Sequence, residues 1–218
     1  MASDPNMIKG FDLDQKIDVY INGDCDGKEE CAPGGWGVLI RQGNTKEEIG
    51  GTEPTTINRM RLRAIIEALK KIPVDTHIDI ITDCSFIYKS LSSWIDNWKQ
   101  NNWIKADGGE VVHQDLWKEV VSLLNFRPYR VKFIEAKEQT NNSQNGKHKI
   151  GIEEAGHIAH LNNMDPFELV SKLEKYDKIK KEGAREIKDF CQKYDRKGNG
   201  LSILMKLIPS LEEDLKKL

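Results

Sequence analysis

The hydrophobic pattern of this chain begins with short runs that are typical of β-strands. Strands are predicted over residues 17–21, 36–40 and 47–52, with glycine- and asparagine-containing turns between them. Short links between consecutive strands predict an antiparallel meander. A β-branched run at 78–82 predicts a fourth strand, and a helix pattern starts directly after it at Ser85.

Helical spacing dominates the rest of the pattern. A fifth strand is predicted at 129–135, and the polar residues 137–149 predict a mobile loop. This order predicts an α/β fold with a five-stranded mixed sheet, its first three strands antiparallel, flanked by helices. Helices are predicted at about 58–72, 85–100, 114–124 and 152–161. The predicted units are a flexible arm at 1–15, the sheet domain at 16–162 and a C-terminal helical extension at 163–218.

Composition narrows the class of protein. The net charge is −2 and both signs are mixed among the 31% of charged residues, so overall charge indicates neither nucleic acid nor membrane as a partner. The four cysteines form no Cys-x-x-Cys pair, which argues against a zinc site and for a reducing compartment. No apolar run has the length of a membrane span. We expect a nuclear or cytoplasmic protein inside the cell, with no membrane attachment.

Asp83 lies where the fourth strand is predicted to end and the next helix to begin. One interpretation is structural, because aspartate at that position caps a helix N-terminus. The other is functional, because open α/β sheets place their sites at the carboxyl ends of strands.

Five segments of the chain together resemble type 1 ribonuclease H. They are Val19–Cys25 with its Asn-Gly-Asp turn, Pro33–Val38, Thr56–Met60, Thr82-Asp83-Cys84, and a tryptophan-rich handle from Trp94 to Trp117. Their order agrees with the predicted element order over about residues 16–162. The resemblance implies a ribonuclease-H-like fold.

The resemblance also implies a site of four acids around two Mg²⁺ ions. The four positions fall on Asn22, Arg61, Asp83 and Gly156, so one carboxylate remains and a cation replaces another. We therefore expect a catalytically inactive member of the family, without bound metal or other cofactor, that serves as a protein-binding scaffold. Arg61 is expected to replace the metal by pairing with Asp83.

Two alternatives remain open at this stage. Asp24, Asp83 and Glu153 could form a relocated magnesium site and leave the chain an active ribonuclease H. Alternatively, the chain could bind an RNA–DNA hybrid or double-stranded RNA without cleaving it. The expected nucleic-acid contacts are Asn58 and Ser85 and the basic residues Lys89, Lys99 and Lys105. Such binding should be weak and sensitive to salt.

The C-terminal extension carries three short amphipathic segments. In the last of them, Leu204, Leu207 and Leu211 recur at helical spacing. We expect these leucines to be buried, either on the sheet domain or in the groove of a protein partner.

Overall fold

The computed structural model describes residues 8–27, 33–136 and 143–164. One mixed sheet has the strand order β3-β2-β1-β4-β5. Strands β1 to β3 are antiparallel neighbours, and β4 runs parallel to both β1 and β5. The predicted α/β class and the antiparallel start of the sheet are confirmed. The strands are β1 (Ile17–Cys25), β2 (Gly34–Gln42), β3 (Thr45–Thr52), β4 (Ile78–Thr82) and β5 (Val131–Glu135).

Helices cover both faces of the sheet. On one face, α1 and α4 pack over a core that includes Val19, Ile21 and Ile65. On the other face, α5 packs against Tyr20, Leu39 and neighbouring side chains. The helices are α1 (Ile57–Lys71), α2 (Ser85–Lys89), α3 (Ile95–Gln100), α4 (Gln114–Asn125) and α5 (Ser143–Asn163); a π-helical turn, Ser90–Trp94, joins α2 to α3.

The two largest differences from the predicted element boundaries are at the end of β1 and the start of α5. The segment from Asn22 to Cys25 has the composition of a turn, yet it continues β1 and pairs with Gly34 to Gly37 of β2. The predicted loop at 137–149 is helical from Ser143 onward, so α5 is 21 residues long. Its first two turns lack an apolar stripe, which is why periodicity does not reveal them.

Helix α5 lies directly on the backbone of β2. A Cβ atom added at Gly37 would come within 2.2 Å of the Ala155 carbonyl oxygen, and one at Gly35 within 2.1 Å of the Ala159 carbonyl oxygen. Glycine is required at both positions because the helix backbone occupies the space of a side chain.

Both ends of the chain extend past the described residues. Within the predicted arm, Ile8 is buried in the core and the Asp12 amide donates to Gln42. The predicted extension lies outside the described residues except for Asn163 and Met164, and so do Leu204, Leu207 and Leu211.

Candidate active site at the carboxyl ends of β1 and β4

Strands β1 and β4 bring Asn22 and Asp83 to the same edge of the sheet. Tyr20 is paired with Ile81 in the parallel register. Asn22 lies two positions further along β1, and Asp83 lies two positions beyond Ile81, directly after the end of β4. Neighbouring strands are about 4.8 Å apart. Asp83 is exposed, while Asn22 is half-buried beneath α5.

Gly156 faces Asn22 from α5. A Cβ atom at Gly156 would lie 2.9 Å from Asn22 Nδ2, and that amide donates a long hydrogen bond of 3.5 Å to the Ile152 carbonyl. The structure therefore brings together Asn22, Gly156 and Asp83, three of the four positions that the resemblance indicated.

Arg61 approaches from α1, whose backbone touches β1 at Gly23. A Cβ atom at Gly23 would lie 3.1 Å from the Arg61 amide nitrogen. The half-buried Arg61 guanidinium donates from Nη1 to Cys84 Sγ at 3.6 Å, and its Nε is buried without a hydrogen-bond partner. Among the described residues no ion pair joins Arg61 to a carboxylate. The expected pairing with Asp83 is therefore wrong, because Asp83 turns outward to solvent.

These four residues do not fit two magnesium ions. Mg²⁺ in such sites is held by carboxylate oxygens, whose charge balances that of the metal. Here Asp83 provides the single carboxylate, Asn22 a neutral amide and Gly156 no side chain, while Arg61 adds a positive charge where a cation would bind.

The relocated set is not assembled either. Asp24 is engaged by α5 residues, and Glu153 has a side chain that is 64% exposed and paired with Lys149 at 3.9 Å. Within residues 8–27, 33–136 and 143–164, no three histidine, cysteine or acidic side chains form a group that could hold a metal ion. The structure therefore does not show the alternative ligands Asp24, Asp83 and Glu153 as a preformed metal-binding group.

A histidine–carboxylate pair lies beside these residues and was missed by the sequence analysis. His160 Nδ1 is 2.7 Å from Asp24 Oδ2, within hydrogen-bond distance. Asn163 Nδ2 donates to the same Asp24 oxygen at 3.4 Å and to Asp26 Oδ1 at 2.7 Å. This arrangement orients the imidazole and leaves Nε2 as the ring atom that can take up or deliver a proton.

The expected nucleic-acid contacts lie on α1, α2, α3 and the segment that follows α3. Asn58 lies half-buried in the first turn of α1, and the Ser85 hydroxyl donates to the Glu135 carboxylate. Lys89 is exposed, whereas Lys99 and Lys105 form ion pairs with Asp96 at 3.1 Å and Asp107 at 3.4 Å. The local acids therefore reduce the positive charge that the handle presents to a phosphate backbone.

The tryptophans of the handle are mainly structural. Trp98 is buried, and its ring centroid lies 5.6 Å from that of Trp117 in an edge-to-face arrangement. Trp94 is 38% exposed, and its ring centroid lies 5.9 Å from that of Trp98.

Over the described residues, no helix has the length and apolar character needed to cross a bilayer.

Comparison with known proteins extends the similarity over most of the described chain. The family model described as RNase H matches residues 14–148. The protein named Ribonuclease H from Caldanaerobacter subterraneus subsp. tengcongensis is 37% identical over 131 residues, which are 59% of this chain and 83% of the relative.

Two solved structures share the fold. The crystal structure of LC9-RNase H1, described as a type 1 RNase H with the type 2 active-site motif, has a TM-score of 0.50 and 26% identity, covering 66% of this chain and 70% of that one. The foamy viral protease-reverse transcriptase in complex with RNA/DNA hybrid has a TM-score of 0.56 and 17% identity, covering 67% of this chain and 20% of that one.

These findings correct the functional expectation drawn from the acid positions. A curated relative that is 37% identical over most of its length is named as a ribonuclease, which points to an enzyme. The expectation of a catalytically inactive, protein-binding scaffold is therefore wrong. It relied on four side chains alone and gave too little weight to the similarity of the rest of the domain.

Proposed function

This chain belongs to the ribonuclease H family, and from that premise we propose that it acts as a ribonuclease on RNA–DNA hybrids. The observation that carries the proposal is the extent of similarity to a protein named Ribonuclease H, at 37% identity over 83% of that protein. A foamy viral neighbour solved with an RNA/DNA hybrid supports the same ligand class.

The catalytic groups of this chain differ from the four-acid arrangement. We assign no step to magnesium, because Asn22, Arg61 and Gly156 do not fit it. Support for a departure within the fold comes from LC9-RNase H1, a type 1 enzyme described with another type's active-site motif. The His160–Asp24 pair is our candidate for proton transfer, because the carboxylate orients an imidazole that is open to solvent.

Hybrid binding would use the polar entrance of α1 and the handle. We propose that Asn58, half-buried in the first turn of α1, contacts a 2′-hydroxyl. Lys89 is exposed and has no acidic partner among the described residues. Lys99 and Lys105 are already paired, so their contribution to binding should be small and strongly reduced by salt. The predicted affinity is therefore modest and salt-dependent.

The experiment is a cleavage assay with the full-length chain. One end-labelled RNA strand is offered alone, paired with DNA and paired with RNA, each with Mg²⁺, with Mn²⁺ and with excess chelator. We expect shortening of the RNA only in the hybrid, and its loss in a His160→Gln variant. If the chain binds the hybrid but does not shorten the RNA, the proposed nuclease activity is refuted. If it does not bind the hybrid, the proposed substrate is refuted as well.

We further propose that the C-terminal extension binds a protein partner through Leu204, Leu207 and Leu211. The support is the amphipathic spacing of these leucines in the sequence. Affinity capture with the full chain and with a Leu204→Asp/Leu207→Asp variant tests this. A partner recovered equally by both would contradict the assignment.

A further inference from the structure

Three arginines alternate along the first two turns of α1, and two of them are neutralised by carboxylates. Arg59 binds Asp115 through two nitrogens, at 2.9 and 2.6 Å. Arg63 Nη2 lies 3.4 Å from Glu53 Oε2, and Arg63 Nη1 lies 3.8 Å from Glu119 Oε2. Arg61 lies between them in sequence and has no carboxylate partner among the described residues.

The position of Arg61 makes an unbalanced charge there unusual. Its guanidinium is half-buried, and taking a cation out of water is unfavourable unless an opposite charge compensates it. The first turn of α1 contains no acidic residue, so no side chain of that turn offsets the positive end of the helix. The contact from Nη1 to Cys84 Sγ is long and involves a weak acceptor. An anion from outside the chain would supply the missing partner.

The neighbouring residues favour an anion for the same reason that they disfavour a metal. Asn22 presents a neutral amide whose Nδ2 is held by only one long hydrogen bond. Gly156 has no side chain, and the Asn22 amide fills part of the space into which an acid would have projected, 2.9 Å from the position of an added Cβ atom. At three positions where the family has an acid that would repel phosphate, this chain has Asn22, Arg61 and Gly156. Of these, Arg61 also adds a positive charge that attracts phosphate. Only Asp83 remains acidic, and it faces solvent.

We propose that Arg61 is the binding residue for a backbone phosphate of the hybrid at the carboxyl ends of β1 and β4. The proposal rests on the hybrid ligand proposed above. A guanidinium donates two parallel N–H groups to the two free oxygens of a phosphodiester, which an amine cannot do as specifically. The positive charge that would hold the phosphate is thus built into the protein.

The test measures the affinity of the full-length chain for a fluorescently labelled RNA–DNA hybrid by anisotropy at several salt concentrations. In an Arg61→Gln variant we expect about tenfold weaker binding at low salt, because a charge-assisted hydrogen bond is lost. The log–log salt slope should become less steep by about 0.9, the change for one phosphate contact. Arg61→Lys should retain most of the affinity and the whole of the slope.

Arg63→Gln provides the matched control, since it removes an arginine of the same helix that is already paired with acids. Its affinity and slope should stay close to those of the wild type. Arg61→Met, which keeps the apolar stem, serves as a second neutral variant, and a thermal melt verifies that each variant is folded.

The outcomes separate the two proposals. Unchanged affinity and slope in both neutral Arg61 variants overturn the phosphate site and leave the hybrid-directed function standing. Wild-type binding that depends on Arg61 without any cleavage supports the phosphate site and refutes the nuclease activity. A wild-type chain that binds no hybrid overturns both.

Discussion

Restoring acids at the three replaced positions should create a magnesium site. The variant is Asn22→Asp, Arg61→Glu and Gly156→Asp, with Asp83 kept. Positions 22 and 156 are adjacent: an added Cβ at Gly156 would lie 2.9 Å from the Asn22 amide, so the side chain at position 22 must shift slightly to admit it. Position 83 directly follows β4, the parallel neighbour of the strand that carries position 22, and such neighbouring strands are about 4.8 Å apart. Position 61 enters from α1 beside Gly23.

The size of the effect follows from charge. Two carboxylates about 5 Å apart repel each other by roughly 3 kcal/mol at an effective dielectric constant of about 20. Without metal, a destabilisation of that order should lower the melting temperature of the triple variant by roughly 6–12 °C, at about 2–4 °C per kcal/mol. Magnesium at about 100 times its Kd should add about 2.7 kcal/mol and recover most of that loss.

Thermal unfolding in chelator, in MgCl₂ and in NaCl of matched ionic strength measures both the loss of stability without metal and its recovery with Mg²⁺. The wild type should show no Mg²⁺-specific shift, and the triple variant should show a clear one. A double variant that retains Arg61 is the control and should respond weakly, because the guanidinium competes with the ion. If the triple variant melts at the same temperature in MgCl₂ as in matched NaCl, the four positions do not converge as described.

Three further predictions concern stability and the extension. Arg127 is 3% exposed and donates to the carbonyls of Leu69, Ile72 and Pro73 at the end of α1. Arg127→Met should lower the free energy of unfolding by about 3 kcal/mol, measured by denaturant unfolding, because it leaves buried acceptors unpaired. The surface change Lys118→Met is the control and should lower it little. Burial raises the pKa of Tyr20 to about 12. This tyrosine therefore contributes stability below pH 10 that is lost as the pH rises towards 12. Tyr20→Phe should remove that part of the pH dependence, measured in alkaline unfolding curves. The double variant Leu204→Asp/Leu207→Asp should have a lower melting temperature if the extension packs on the sheet domain. Its melting temperature should be unchanged if the leucines face a partner. A Lys216→Asp variant is the control for this double variant.

The sheet could be predicted because its strands follow one another with short, recognisable turns. The run of Ile78 to Thr82 has strand composition and ends at a residue that starts a helix, so its bounds are the same in the sequence prediction and in the structure. The end of β1 was mispredicted because asparagine, glycine and aspartate favour turns locally. Pairing with the glycines of β2 overrides that local preference.

The site could be predicted in part. Asn22, Asp83 and Gly156 were placed together by resemblance, and the structure brings them to one edge. The direction of the Arg61 side chain depends on how α1 docks against β1 and the start of α2, which no local pattern encodes. The His160–Asp24 pair joins residues 136 positions apart and lies near the end of a helix with weak periodicity, so only the folded chain reveals it.

The seating of α5 on Gly35 and Gly37 has a consequence for how this edge of the molecule can change. Because the helix backbone rests on the strand backbone at these two glycines, backbone contacts as well as packed side chains such as Tyr20 set how closely α5 approaches the sheet. Substitutions of side chains at the exposed edge leave those backbone contacts in place. A single added methyl group at Gly37 would instead push α5 off the strand and carry His160 away from Asp24.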